Sequence, residues 1–323
     1  MSEILELQHK LLDTSATISQ LERALLAEPE SPVLRLNLDS VVNRFNHLES
    51  EFHVLADRQA LDVCTYRLFA SAELPNLERD RTPSLRGIST ALLDFQLAFS
   101  AMFDALKNGR RLRSRMTPDV LQATSFVFGY AFPGSVGVVL MLEHERLLLD
   151  GDMLDDAIMT FFSLAQAPTD EDIRAIGHKL GPAPLRAIFK WAQAHVEDSL
   201  GADISWRRGT TVAASLFLQL QELERLSSAI AATSEDERET IDWAGRLTGA
   251  DVKTRRFRFE PDGGEAVHGS FVDAINEAHV VTLPSRYLAH LEKSTRIHYS
   301  SEEEQVTWKL LSLDKIYLKA KMS

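Results

Sequence analysis

The stretch FVFGYAFPGSVGVVLML, Phe126 to Leu142, holds two apolar arms around Pro133-Gly134-Ser135. Its reading decides the fold class, because the apex is either the turn of a strand pair or a catalytic loop. A nucleophile elbow needs Gly-x-Ser-x-Gly, since its serine sits on a strained strand-to-helix turn that admits only small neighbours. Gly137 fills the second glycine position, but Pro133 holds the first. The following VGVV is β-branched and glycine-bearing, which is poor material for the supporting helix. A β-hairpin is therefore expected, with arms from Ala123 to Tyr130 and from Val136 to Leu142. The glycines make no phosphate loop either, because no Lys-Ser/Thr completes Gly129 to Gly134.

Upstream lies the clearest periodicity of the chain. Ile4, Leu7, Leu11, Thr14, Ile18, Leu21 and Leu25 recur at spacings of three and four, and so do Leu34, Leu38, Val41, Phe45, Leu48, Phe52 and Leu55. Each run is a heptad-like seam on one helix face. Between them, Ser31 suits an N-cap and Pro32 the first helical position. An antiparallel helical hairpin follows, whose further apolar residues Val33, Leu36 and Val42 need a partner beyond the hairpin itself.

From Leu61 to Phe69 the period changes to two, with Val63, Thr65 and Arg67 on one face and Cys64, Tyr66 and Leu68 on the other, as in a strand. Helices are expected over Leu85–Lys107, Leu154–Leu164, Asp170–Leu180, Pro184–Leu200 and Thr211–Ala231, with a short strand at ADISWRR. The polar IAATSEDERET reads as a linker. Beyond it come short alternating runs and a turn at Asp262-Gly263-Gly264, which point to a small barrel interrupted by a helix at Pro284–Leu291.

The fold expected is thus α+β: a helical hairpin over residues 1–57, a mixed α/β layer with a small sheet over 58–232, and a small β-barrel, SH3-like or OB-like, over 233–323. A length of 323 residues, 45% hydrophobic and 25% charged, fits an ordinary globular chain. The one cysteine, Cys64, excludes an internal disulfide or thiolate cluster. The amino terminus, MSEILELQHK, lacks the basic and apolar regions of an export signal, and no apolar run approaches the roughly 20 residues of a membrane helix. A cytoplasmic protein is expected. A net charge of −12 argues against binding duplex nucleic acid as a main task.

Candidate chemistry is sparse. A serine hydrolase at Ser135 would take its base from His178 or His195 and its acid from Asp150 or Asp152, but no spacing singles these out. His144, in LEHERL, lacks the second histidine of a zincin helix; no metal and no cofactor are expected. Lys107, Arg110, Arg111, Arg113 and Arg115 follow a helix end, where cations complement the dipole; the functional alternative is an anion or nucleic-acid site. Arg256 and Arg258 alternate with Phe257 and Phe259, as on a half-buried strand with arginines outward, or on a single-strand-binding barrel.

The function expected from this balance is a non-enzymatic interaction or adaptor protein, a homo-oligomer or partner-binding chain acting through residues 1–57. Nucleic-acid or nucleotide binding through Arg110–Arg115 and the barrel is the second expectation, and the Ser135 hydrolase the third. The layout is similar to that of bacterial accessory proteins of multi-protein systems, for example in phage defence, a likeness of architecture that no single residue carries.

Overall fold

The computed structural model of the chain describes residues 2–70, 83–113, 115–132, 136–143, 151–166, 169–272, 282–301 and 304–316. The chain divides into two units, Met1–Thr233 and Ser234–Ser323. The class is α+β, as expected, with a helical hairpin and a closed barrel.

The first unit begins with α1 (Ser2–Ala27) and α2 (Pro32–Arg58), which pack side by side. Ser31 has the extended backbone of an N-cap but its side chain makes no cap hydrogen bond, so Pro32 marks the helix start. Next come β1 (Leu61–Ala70), α3 (Leu85–Asn108), α4 (Pro118–Thr124), β2 (Val127–Phe132) and β3 (Val136–Glu143). The unit closes with α5 (Gly151–Ala165), α6 (Asp170–Leu180), α7 (Pro182–Glu197), β4 (Leu200–Arg208), β5 (Thr211–Leu218) and α8 (Leu220–Ala232).

The five strands form one antiparallel sheet in the order β2-β3-β1-β4-β5. The arms of the opening stretch pair as β2 and β3, although Ala123 and Thr124 belong to α4, which Thr117 caps. Side-chain alternation then assigns two faces. Cys64, Tyr66 and Leu68 face α3 and α7, where Tyr66, Phe95, Phe161 and Trp191 meet with ring centroids 5.0 to 5.3 Å apart. On the other face Val63, Tyr130, Val139 and Met141 share a core with Ile4, Leu11, Leu48, Phe52 and Ala56 of the hairpin. Residues 1–57 and the sheet therefore bury apolar surface together.

The second unit holds β6 (Ser234–Asp251), β7 (Arg256–Pro261), β8 (Val267–Phe271), β9 (Ser285–His298) and β10 (Glu304–Lys315). They close into a barrel in the order β10-β8-β7-β6-β9, with β10 and β8 parallel and the other described pairs antiparallel. Leu247, Phe257, Phe259, Tyr287, Leu291 and Leu310 fill it.

Three local expectations change. Thr211–Ala231 is not one helix: β5 runs to Leu218, and a Gln219/Glu222 capping box starts α8. The spacing of Leu216, Leu220 and Leu223 matched a helix, while buried Leu216 and Leu218 carry the period of two that prevails. Pro284–Leu291 lies largely in β9, where Tyr287, Ala289 and Leu291 alternate inward. IAATSEDERET holds the boundary between the two units, at Thr233 and Ser234, but not as a loop: α8 ends and β6 begins within it. Its charges made it look like a loop; they are used across strands, as in the two hydrogen bonds from Arg296 to Asp236 at 2.8 and 3.2 Å.

One cross-strand group gives the barrel a pH dependence. His290 on β9 reaches Asp242 on β6 at 2.5 Å and Asp314 on β10 at 3.1 Å. The hydrogen bonds to Asp242 and then Asp314 raise its pKa above the ordinary value. A raised folded pKa means that the charged bracket stabilises fully below the unfolded value of about 6.5 and is lost as pH rises through the folded value. The melting temperature of the wild type minus that of a His290→Asn variant should shrink as pH increases across that window; a difference that grows would contradict the bracket.

Candidate functional site

Each of the residues singled out in the sequence has a definite place, where described. Ser135, His144 and Asp150 lie outside the described residues, and nothing is described of the Asp152 side chain. His178 is exposed in the last turn of α6. His195 is buried on α7, where its Nε2 lies 2.6 Å from the Tyr66 hydroxyl. That hydroxyl accepts from Trp191 Nε1 at 2.7 Å, so its own proton is directed at His195. Burial drives the His195 pKa down to about 4, partly opposed by a hydrogen bond with the Leu200 backbone, and holds the ring neutral. This is a buried core contact on the helix-covered side of the sheet.

The basic run after α3 divides in two. Arg111 holds Asp104 through Nε at 2.8 Å and its terminal nitrogen at 3.2 Å, and Asp104 is nearly inaccessible. The Arg111 backbone donates to Leu180 at 2.9 Å and accepts from Ala183 at 3.1 Å, pinning the end of α3 to the α6–α7 junction. Gly181, at φ +87°, makes that approach possible, because a Cβ there would lie 2.3 Å from the Arg111 carbonyl oxygen. Lys107 lies 5.7 Å from the centre of the Phe103 ring. Arg110, Arg113 and Arg115 are exposed. In the barrel, Phe257 and Phe259 are buried while Arg256 and Arg258 face outward, the latter 3.6 Å from Glu260.

The hairpin has two unlike halves. Toward the chain start and the end of α2, Ile4, Leu11, Ile18, Leu48 and Phe52 are buried. Toward the 28–31 turn, no described residue between Ser19 and His47 is buried. Leu21, Leu25, Leu34 and Leu38 are half-covered by the opposing helix, and Leu26, Val33 and Leu36 are 81%, 64% and 71% exposed. Val33 and Leu36 stand one helical turn apart on one face of α2.

A second arrangement was not singled out in the sequence. On the hairpin side of the sheet Thr65, Arg67, Asp203, Ser205 and Arg207 are half-buried, and Ser215 and Phe217 are exposed. The strand registers bring Arg67, Asp203 and Phe217 into one row, Thr65, Ser205 and Ser215 into the next, and Val63 beside Arg207. From α2, Glu49 and His53 lie near enough to Arg207 to feel its charge. Burial raises the Glu49 pKa, Arg207 opposing it, and burial followed by Arg207 lowers that of His53 to about 4. Tyr130 Oη, Arg67 Nε and His53 Nδ1 are buried without a hydrogen-bond partner among the described residues. Each such group costs about 1–3 kcal/mol, so two on one sheet face and one on the helix packed against it mark a place shaped by more than packing. The signal in the sequence was the alternation that sets Arg67 beside Val63 and Thr65, matched by SWRR in β4.

Among the described residues no group of three or more His, Cys, Asp or Glu is arranged to hold a metal ion, and no helix is long and apolar enough to cross a membrane. Comparison of the chain with protein-family models, with curated proteins and with solved structures finds no match.

Proposed function

We propose that this chain is a cytoplasmic, non-enzymatic interaction protein that self-associates through the free half of its helical hairpin. The observation that carries this reading is the contrast along the hairpin. One half is built into the core of the first unit, whereas the other continues the same seams into a segment whose apolar residues are half-covered or bare. A two-helix segment with this pattern gains stability by burying its stripe against further helices.

A second copy of the chain is the occupant that fits. Residues 13–44 carry five acidic and three basic side chains, a net charge of −2. A net charge this small, with both signs present, leaves two copies only weakly repelled at this end. Pairing two hairpins at their free ends makes a four-helix arrangement in which Leu26, Val33 and Leu36 are covered.

The test is a Leu26→Glu, Val33→Glu, Leu36→Glu triple variant studied by sedimentation velocity. All three side chains are exposed in the single chain, so the variant should fold. Its dimer dissociation constant should rise by about a hundredfold or more, because charges then enter the buried seam. An unchanged association constant would remove the hairpin from the interface.

A further inference from the structure

We infer that the β1–β4–β5 face beside α2 binds a nucleoside phosphate, independently of the self-association proposed above. Three observations converge. Arg67 and Arg207 rise from neighbouring strands on the same face, both half-buried, and neither reaches a carboxylate within ion-pair distance among the described residues. Half-buried guanidinium groups that are not locked to a carboxylate at ion-pair distance can turn two nitrogens toward phosphate oxygens. The buried and unpartnered Arg67 Nε on β1 and His53 Nδ1 on α2, the latter near Arg207, add a donor and a ring nitrogen of either role.

The second observation is the floor itself. Thr65 and Ser205 are direct register partners between the two arginine positions, and both offer hydroxyl groups. Arg67 and Arg207 stand four residues apart along paired strands, about 13 Å of strand. That span suits a short phosphate tail resting on the hydroxyls, with Arg67, whose Cζ lies 6.0 Å from the centre of the Phe132 ring, at one end.

The third observation selects a nucleotide over a bare oxyanion. Phe217 is 58% exposed and stacks on Phe69 with ring centroids 5.1 Å apart and an interplanar angle of 9°. It lies in the same row as Arg67, separated from it by Asp203. Two strand spacings put Phe217 about 10 Å from Arg67, a separation that a base, a ribose and a phosphate bridge. An exposed ring backed by a second ring is a platform for a base of any identity. Asp203, between platform and arginine, is placed to accept from ribose hydroxyls. Glu49 and Asp203 offset the two arginines, so the face has no large net positive charge, which fits a single nucleotide better than a polymer backbone.

The experiment is calorimetric titration of the full chain with ADP and, separately, with inorganic pyrophosphate. ADP should saturate one site per chain, with pyrophosphate weaker by about tenfold because it lacks the stacking group. Phe217→Ala should bring ADP down to the level of pyrophosphate. Arg67→Gln and Arg207→Gln should each weaken both ligands by about tenfold or more. Ser205→Asp, which leaves both arginines in place and adds a negative charge to the floor, should do the same and guards against a fold defect in the arginine variants. Absence of ADP saturation on the wild type at about 10 mM, a concentration at which even millimolar affinity registers, overturns the inference. So does unchanged ADP affinity in Ser205→Asp and Arg207→Gln, or equal binding of ADP and pyrophosphate.

Discussion

Replacing Asp62 by alanine should lower the unfolding free energy of the first unit by about 3–5 kcal/mol, the range for removing one partner of a buried charge pair. Asp62 on β1 is inaccessible to solvent. It accepts from Trp206 Nε1 at 3.1 Å and from Arg208 at 3.2 and 2.9 Å, both residues on the neighbouring β4. Its loss leaves an indole N–H and much of a guanidinium without their acceptor inside the sheet. Asp155 on α5 also binds Arg208, but its side chain is 44% exposed. Its replacement by alanine should cost below about 1 kcal/mol, because water replaces an exposed partner. Chemical denaturation of the two variants checks the contrast. Equal effects would show that the carboxylates share the load and that burial of Asp62 is not what matters.

The second large effect is expected at Phe52. This ring is fully buried on α2 and meets Tyr130 on β2 edge-on, with centroids 5.4 Å apart. Phe52→Ala removes the centre of the core shared by hairpin and sheet and should cost about 3–5 kcal/mol. The loss should appear in one transition together with the rest of residues 1–233. A variant in which the hairpin melts early while the sheet keeps its midpoint would show that the two fold separately. Val54→Ala, on the same helix but 39% exposed, is the control, expected within about 1 kcal/mol of wild type.

Much of this architecture is legible in the sequence, because short-range rules govern it. The seams of three and four spell out α1 and α2, and the switch to a period of two marks β1. The Pro-Gly-Ser apex between apolar arms foretells β2 pairing with β3. Failures arise where two periods overlap or where polarity misleads. Leu216, Leu220 and Leu223 fit a helix although half of that run is a strand, and the charged start of β6 resembles a linker because cross-strand partners far along the chain use its charges. The candidate site was out of reach for a related reason. Arg67 and Arg207, 140 positions apart in sequence, reach one sheet face through the β1–β4 register, and Glu49 and His53 approach Arg207 only once α2 docks on the sheet. The basic run after α3 shows the converse: conspicuous in sequence, its Arg111 serves the buried Asp104 and the α6–α7 junction.

The central claim is that the free half of the hairpin joins two copies of the chain. Light scattering on the purified full-length protein, measured across an elution peak at several loading concentrations, tests it most directly. The account predicts a molar mass of about twice 36.2 kDa at high loading, falling toward 36.2 kDa on dilution and in the Leu26→Glu, Val33→Glu, Leu36→Glu variant. A wild-type mass of 36.2 kDa at every concentration would contradict it.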